Sequence, residues 1–215
     1  MKDSLVVNEI FFSVQGESTR AGLACVFVRL TGCQLRCAWC DTEYAFTEGR
    51  RMTISRIVEQ VREYRCELVE VTGGEPLLQP GSLELMRRLA DAGLTVMLET
   101  SGACEIAPVD PRVIRVVDVK CPGSGESERN RWANLDLLTA RDEVKFVLAD
   151  RADYEWAGGV LRRHRLAGRC PILFSPVHGR LAPDELAEWI LADRLPVRLQ
   201  VQLHKLVWPA GTRGV

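Results

Sequence analysis

Cys33, Cys37 and Cys40 fall within eight residues of one another, in the order C-x3-C-x2-C. Three thiolates that close can grip one metal centre from a single loop, and they leave at least one coordination position unfilled by the motif. Four-iron iron–sulfur clusters normally take four cysteines, so a set of three exposes one iron to an exogenous ligand. An open position on a metal site is where chemistry takes place. A structural zinc knot would more usually show paired C-x2-C units, with a second pair or histidines downstream. Here Cys25, Cys66, Cys104, Cys121 and Cys170 are scattered singly, and His164, His178 and His204 lie far along the chain. A reactive cluster is the favoured reading.

Other chemistry-bearing residues stand at the ends of apolar runs. TGGEP at 72–76 follows one such run, and its glycines would let a ligand approach the backbone closely. Glu99, Thr100, Ser101 and Gly102 follow the next and could bind a ribose or carboxylate, or simply turn the chain. Asp118, Val119 and Lys120 open the run DVKCPGSGE, where Lys120 meets either Asp118 or an anionic ligand. Ser175 and Pro176 follow Phe174. Arg29 lies one residue from the end of its run and, by period 2, shares a face with Cys25 and Phe27. It is either a structural partner for an acidic neighbour or a bidentate clamp for a carboxylate, and the clamp is favoured. Thr42, two residues after Cys40, is either a loop or cap residue or a hydroxyl ligand for magnesium.

The elements that must position these groups alternate between strand and helix patterns. Strands are expected over 23–30, 68–72, 95–99, 114–119, 144–149 and 171–174. Helices are expected from Thr53 as N-cap to Tyr64, from Ser82 to Gly93, over 151–165, and from Pro183 to about Asp193. The alternation Val197, Leu199, Val201, Leu203 reads as a final half-buried strand. Such alternation implies parallel strands joined by helices. The expected fold is α/β: a partial, open βα barrel of about six parallel strands, some helices shortened or replaced by loops, notably over 102–112 and 121–131. In such sheets ligands lie at the carboxyl ends of the strands, where nearly every unusual motif falls.

Bulk properties narrow the class. The 215 residues suit one domain spanning 1–215. A net charge of −1 gives no reason to expect nucleic acid or an acidic membrane as partner. No apolar run approaches the ~20 residues of a membrane span, and the N-terminus does not read as a signal peptide. Thiols and an oxygen-sensitive cluster suit a reducing cytoplasm.

The C-x3-C-x2-C spacing, with aromatic Trp39 before the last cysteine, resembles the signature of the radical S-adenosylmethionine enzymes. The resemblance implies a [4Fe-4S] cluster on Cys33, Cys37 and Cys40 whose bare iron chelates S-adenosyl-L-methionine. Cleavage of the sulfonium then gives a 5′-deoxyadenosyl radical. Further runs resemble one family within that group, 7-carboxy-7-deazaguanine synthase: EIFFSVQGE at 9–17, RLTGC at 29–33, CDT at 40–42, VTGGEP at 71–76, DVKCPGSG at 118–125 and LQVQLHK at 199–205. They span almost the whole chain. The resemblance implies conversion of 6-carboxy-5,6,7,8-tetrahydropterin to 7-carboxy-7-deazaguanine with loss of ammonia, on the way to queuosine and other deazapurines. The radical would take the hydrogen at C6, the ring would contract, and hydrogen would return to regenerate S-adenosylmethionine. Val14, Gln15, Gly16, Arg29 and Thr72 would contact the pterin, and Thr42 would bind Mg2+. Trp39, Cys40, Asp41, Gly74, Asp118, Val119, Lys120, Ser175 and Pro176 would surround S-adenosylmethionine. A flavodoxin-like external reductant and a homodimer are also implied. The rivals are a glycyl-radical-enzyme activase, for which an inward Arg29 has no obvious use, and a non-catalytic iron–sulfur electron carrier, which needs no glycine-rich ligand loop.

Overall fold

The computed structural model describes residues 3–209 and 211–215. Its strands are β1 (Ser4–Val14), β2 (Ala24–Leu30), β3 (Arg50–Thr53), β4 (Leu68–Gly73), β5 (Thr95–Thr100), β6 (Ile114–Asp118), β7 (Glu143–Leu148), β8 (Ile172–Pro176) and β9 (Arg198–Leu199). Its α-helices are α1 (Ile54–Glu63), α2 (Gly81–Asp91), α3 (Arg151–Arg163), α4 (Pro183–Asp193) and α5 (His204–Val207). All strands join one sheet in the order β3-β1-β2-β4-β5-β6-β7-β8-β9, open between its two edges. Pairing is parallel from β2 through β4 to β9, and antiparallel where β1 meets β2 and β3. The six full parallel strands of the expected open barrel are thus β2, β4, β5, β6, β7 and β8.

Period 2 divides each strand between two environments. Val26, Val28, Val69, Val71, Val96, Leu98, Phe146 and Phe174 belong to the main core, together with apolar residues of α1 to α4. The opposite face carries Cys25, Phe27, Leu68, Met97, Ile114 and Val116, a smaller apolar cluster on the concave inside. Burial on both faces is why these strands read as nearly continuous apolar runs. Two residues further along the inward positions turn polar, at Arg29, Glu70, Glu99 and Asp118. An apolar floor therefore carries a charged belt toward the carboxyl ends of the strands.

The helices begin as their caps dictate. Thr53 Oγ1 accepts the Arg56 N–H at 3.3 Å, and Asp150 Oδ1 accepts the Asp153 N–H at 3.0 Å. Between β5 and β7 no α-helix forms, only short 3-10 turns at Pro122–Ser124, Ser127–Arg129 and Trp132–Leu137.

Two features depart from the sequence reading. Strands β1 and β3 extend the sheet where no strand was expected. A register irregularity between Val7 and Glu9 breaks the alternation of β1, which hides an eleven-residue strand from a period-2 search. The final strand, expected through Leu203, pairs only at Arg198 and Leu199. Beyond it the glutamines serve the interior instead: Gln200 Nε2 donates to Ser18 O at 2.9 Å and Gln202 Nε2 to Glu17 Oε1 at 2.8 Å. Those bonds, with Leu203 N to Gly16 O at 2.9 Å, tie the β1–β2 connection to the far side of the sheet.

Candidate active site

A cavity of about 530 Å3 opens at the carboxyl ends of the parallel strands. Cys33, Cys37 and Cys40 line it, as do Trp39, Asp41, Thr42 and Gly74 of the cluster and glycine loops. Val14, Gln15, Gly16, Arg29 and Thr72 line it as well, with Asp118 and Lys120. Val119, Ser175 and Pro176 do not. Val119 packs in the main core with its N–H on Lys145 O at 2.8 Å, and Ser175 and Pro176 are buried in β8. In that sector the wall is Val147, Val177 and His178.

Close backbone packing sets the root of the cluster loop. A Cβ on Gly73, whose φ is +150°, would lie 2.6 Å from Leu30 N. One on Gly74 would lie 2.6 Å from the carbonyl carbon of Gly32. The glycines expected to admit a ligand therefore also let β4 abut the start of the cysteine loop, where Gly74 N donates to Leu30 O at 3.0 Å and Glu75 N to Gly32 O at 2.7 Å. Glu75 is fully buried and does not face the cavity. Its carboxylate accepts from Ser101 N at 2.8 Å, Ser101 Oγ at 2.5 Å and Thr100 Oγ1 at 2.9 Å, locking the ends of β4 and β5 together.

Three thiols on one cavity wall suit an iron–sulfur cluster with an open iron. Cys33 Sγ already accepts the Leu35 N–H at 3.4 Å, the kind of contact that supports a cluster thiolate. Asp118 Oδ1 on this wall is buried and makes no hydrogen bond among the described residues, so it is an acceptor that suits a ligand donor. Its other oxygen holds Lys120 Nζ at 2.9 Å.

Arg29 combines both of its expected roles. Its Nε donates to Glu9 Oε1 at 2.8 Å, and Tyr44 OH donates to the same oxygen at 3.1 Å. Its two terminal nitrogens make no hydrogen bond among the described residues, and the side chain borders the cavity.

The sequence reading missed the centre of the charged belt. Lys145 Nζ contacts Glu17 Oε2 at 2.7 Å, Glu99 Oε1 more closely still, and Asp118 Oδ2 at 3.5 Å. Burial would push Lys145 down, but Glu17, Glu99 and Asp118 together raise it well above the usual lysine range. The carboxylates divide. For Glu17 and Asp118 burial is outweighed by lysine partners, and both are lowered. Glu99 is pushed up to about 7 by burial, with Glu17 and Asp118 adding to it against Lys145. Glu70, whose Oε2 accepts Gln15 Nε2 at 2.6 Å, is pushed up to about 8 by burial and then by Glu99. The available signal was a charged residue inside an apolar strand, at Glu70 in LVEVT and Lys145 in EVKFVL.

This division predicts a pH dependence. The unfolded chain releases the Glu70 proton near pH ~4.3, whereas the folded chain keeps it to about pH 8. Between those values the folded state binds more protons, so the contribution of Glu70 to stability should fall as pH rises, alongside that of Glu99, and level off above about 8. Glu70→Gln should flatten that limb, which for one proton is at most about 1.4 kcal/mol per pH unit. Urea midpoints measured from pH 5 to 9 check it, and equal slopes in both proteins would place the proton elsewhere.

The Radical SAM superfamily model matches residues 27–157 of this chain. A 7-carboxy-7-deazaguanine synthase of Chlorobaculum tepidum is 49% identical, covering 98% of this chain and 97% of its own. One of Koribacter versatilis is 47% identical, covering 97% and 99%. Among solved structures, QueE from Escherichia coli shares the fold with a TM-score of 0.78 at 23% identity, covering 94% of this chain and 95% of its own. These relatives favour the synthase over the activase and the electron carrier. A radical signature on one cavity wall, in a chain this similar to the synthases over nearly its whole length, places the protein in the 7-carboxy-7-deazaguanine synthase family of the radical SAM superfamily.

Proposed function

We infer that this chain contracts the ring of 6-carboxy-5,6,7,8-tetrahydropterin to 7-carboxy-7-deazaguanine with release of ammonia, serving the formation of queuosine and other deazapurines. The observation that carries the reading is one cavity holding both the three cluster thiols and, beside them, an arginine and a carboxylate belt. When bound, the [4Fe-4S] cluster and S-adenosylmethionine supply the 5′-deoxyadenosyl radical.

The chain's residues supply position and shelter. The free nitrogens of Arg29 suit the pterin carboxylate, with Val14, Gln15, Gly16 and Thr72 beside the ring. Glu17 and Glu99 are acceptors suited to the 2-amino and N3–H donors of the pterin. Trp39, Cys40, Asp41, Gly74, Asp118 and Lys120 would border S-adenosylmethionine, Asp118 Oδ1 accepting a donor from it. Val119, Ser175 and Pro176 would contribute from behind the wall through backbone or packing. All of residues 1–215 would act as one catalytic domain. A homodimer and a flavodoxin-like reductant follow from the family resemblance, and a cytoplasmic location suits the thiols and an oxygen-sensitive cluster. No described helix is long and apolar enough to cross a membrane.

Thr42 is the proposed Mg2+ ligand. Its side chain makes no cap hydrogen bond at the 3-10 turn it precedes, and among the described residues its hydroxyl pairs only with Cys40 Sγ, in a long contact at 3.9 Å. Magnesium accepts one protein oxygen where substrate and water supply the rest. Thr42→Ala should leave the cluster intact and blunt the acceleration of turnover by magnesium. An unchanged magnesium response would return Thr42 to a loop role.

The deciding experiment is anaerobic turnover of the reconstituted, reduced protein with S-adenosylmethionine and the carboxylated tetrahydropterin, read by mass spectrometry. Formation of 7-carboxy-7-deazaguanine is the expected result. A protein that cleaves S-adenosylmethionine yet leaves the pterin untouched would overturn the reading.

A further inference from the structure

The backbone between Cys33 and Cys40 has little regular structure, so its N–H partners decide its path. Two of them are local: Leu35 N to Cys33 Sγ at 3.4 Å and Cys40 N to Cys37 O at 3.1 Å. Two come from across the barrel mouth. Glu126 Oε1 accepts the Arg36 N–H at 2.6 Å, and Ser124 O accepts the Ala38 N–H at 3.0 Å. One restraint falls in each span between successive cysteines.

The segment that supplies these acceptors is itself well held. Gly123 N donates to Asp153 Oδ1 at 2.8 Å, and Ser124 Oγ donates to Cys121 O at 2.6 Å. Glu126 N in turn donates to Ser124 Oγ at 3.2 Å. Arg36 does not neutralise Glu126, because its guanidinium folds back to Cys33 O at 2.8 Å and Leu35 O at 2.6 Å and lies over Phe46. Glu126 makes no ion pair among the described residues, so no cation offsets this carboxylate where it rests against the loop that carries the cluster thiols.

We propose that Glu126 is a positioning residue for the iron–sulfur cluster. Its carboxylate fixes the Cys33–Cys37 span through the Arg36 N–H, and its charge holds the reduction potential of the bound cluster low. The proposal rests on the cluster being carried by Cys33, Cys37 and Cys40. Partners one shell out from metal ligands commonly change metal affinity by ~10–100-fold, and nearby charge and hydrogen bonding set iron–sulfur potentials.

Two variants separate the roles, and Glu126 is half-exposed on a loop, so both should fold. Glu126→Gln keeps an oxygen to accept the Arg36 N–H but removes the charge. Glu126→Ala removes both. Reconstituted proteins are compared by iron release to a chelator and by redox titration followed with electron paramagnetic resonance. The alanine variant should lose iron at least about tenfold faster, whereas the glutamine variant should lose it at the wild-type rate. Both should be easier to reduce, by about tenfold in the reduced-to-oxidised ratio at fixed potential, or about 59 mV for one electron. Wild-type potentials in both variants, or wild-type iron retention in Glu126→Ala, would overturn the proposal alone. A wild-type protein that takes up no iron would overturn the cluster reading and the proposal with it.

Discussion

Alanine at Cys33, Cys37 or Cys40 should abolish both cluster assembly and turnover, while Cys66→Ala and Cys170→Ala should keep both. The three loop thiols share one cavity wall, and none of the other five cysteines lines that cavity. Cys66 Sγ donates to Ala24 O at 3.3 Å, and Cys170 is buried in the main core. Cys104 is the more searching control, since Gln34 of the cluster loop donates to its sulfur at 3.6 Å. Removing a loop thiol leaves two protein ligands for a cluster that already leaves one iron bare, and two cannot hold it. Iron content, the charge-transfer absorbance of the cluster and reductive cleavage of S-adenosylmethionine should vanish together. A fourth cysteine equally necessary for all three would mean that no iron is open, and the chemistry assigned to the cavity would fail.

The parts of this protein legible in its sequence are those with a strong local signal. The cysteine spacing is one, because three ligands from a single loop need no tertiary information. The parallel strands are another, since burial on both faces makes each a short apolar run between loops. Signals that depend on distant partners were lost. β1 hid because its alternation slips between Val7 and Glu9. The residues after Leu199 alternate as a strand would, yet Gln200 and Gln202 spend their side chains on Ser18 and Glu17. The alternation there records an inward polar face, where the sequence suggested a solvated one. Lys145 was passed over for a similar reason: its value lies in Glu17, Glu99 and Asp118, which come from three other segments. Sequence reading finds such a group only by asking why a lysine stands in the middle of a buried strand.

Arg29→Ala should weaken binding of the carboxylated pterin by roughly 30- to several-thousand-fold while leaving S-adenosylmethionine binding nearly unchanged. The charge that matters is the free end of the guanidinium. Glu9 takes Nε at 2.8 Å, which fixes the plane of the fork and leaves the terminal nitrogens without a hydrogen bond among the described residues, on a side chain that borders the cavity. The arginine is only 15% exposed, and Phe11 lies beneath its guanidinium, so a carboxylate bound there meets a partly desolvated, pre-oriented partner. Truncating one member of such a pair typically costs ~2–5 kcal/mol, and each ~1.4 kcal/mol is tenfold in affinity. Arg29→Lys keeps the charge without the fork and should fall between wild type and alanine. Glu9→Gln should give a smaller loss than Arg29→Ala, because the positive charge stays and only its orientation loosens. Calorimetric titration of the pterin and of S-adenosylmethionine into each folded variant separates these cases. Normal pterin binding by Arg29→Ala, or equal loss of pterin and cofactor, would show that the arginine serves Glu9 and the β1–β2 pairing alone.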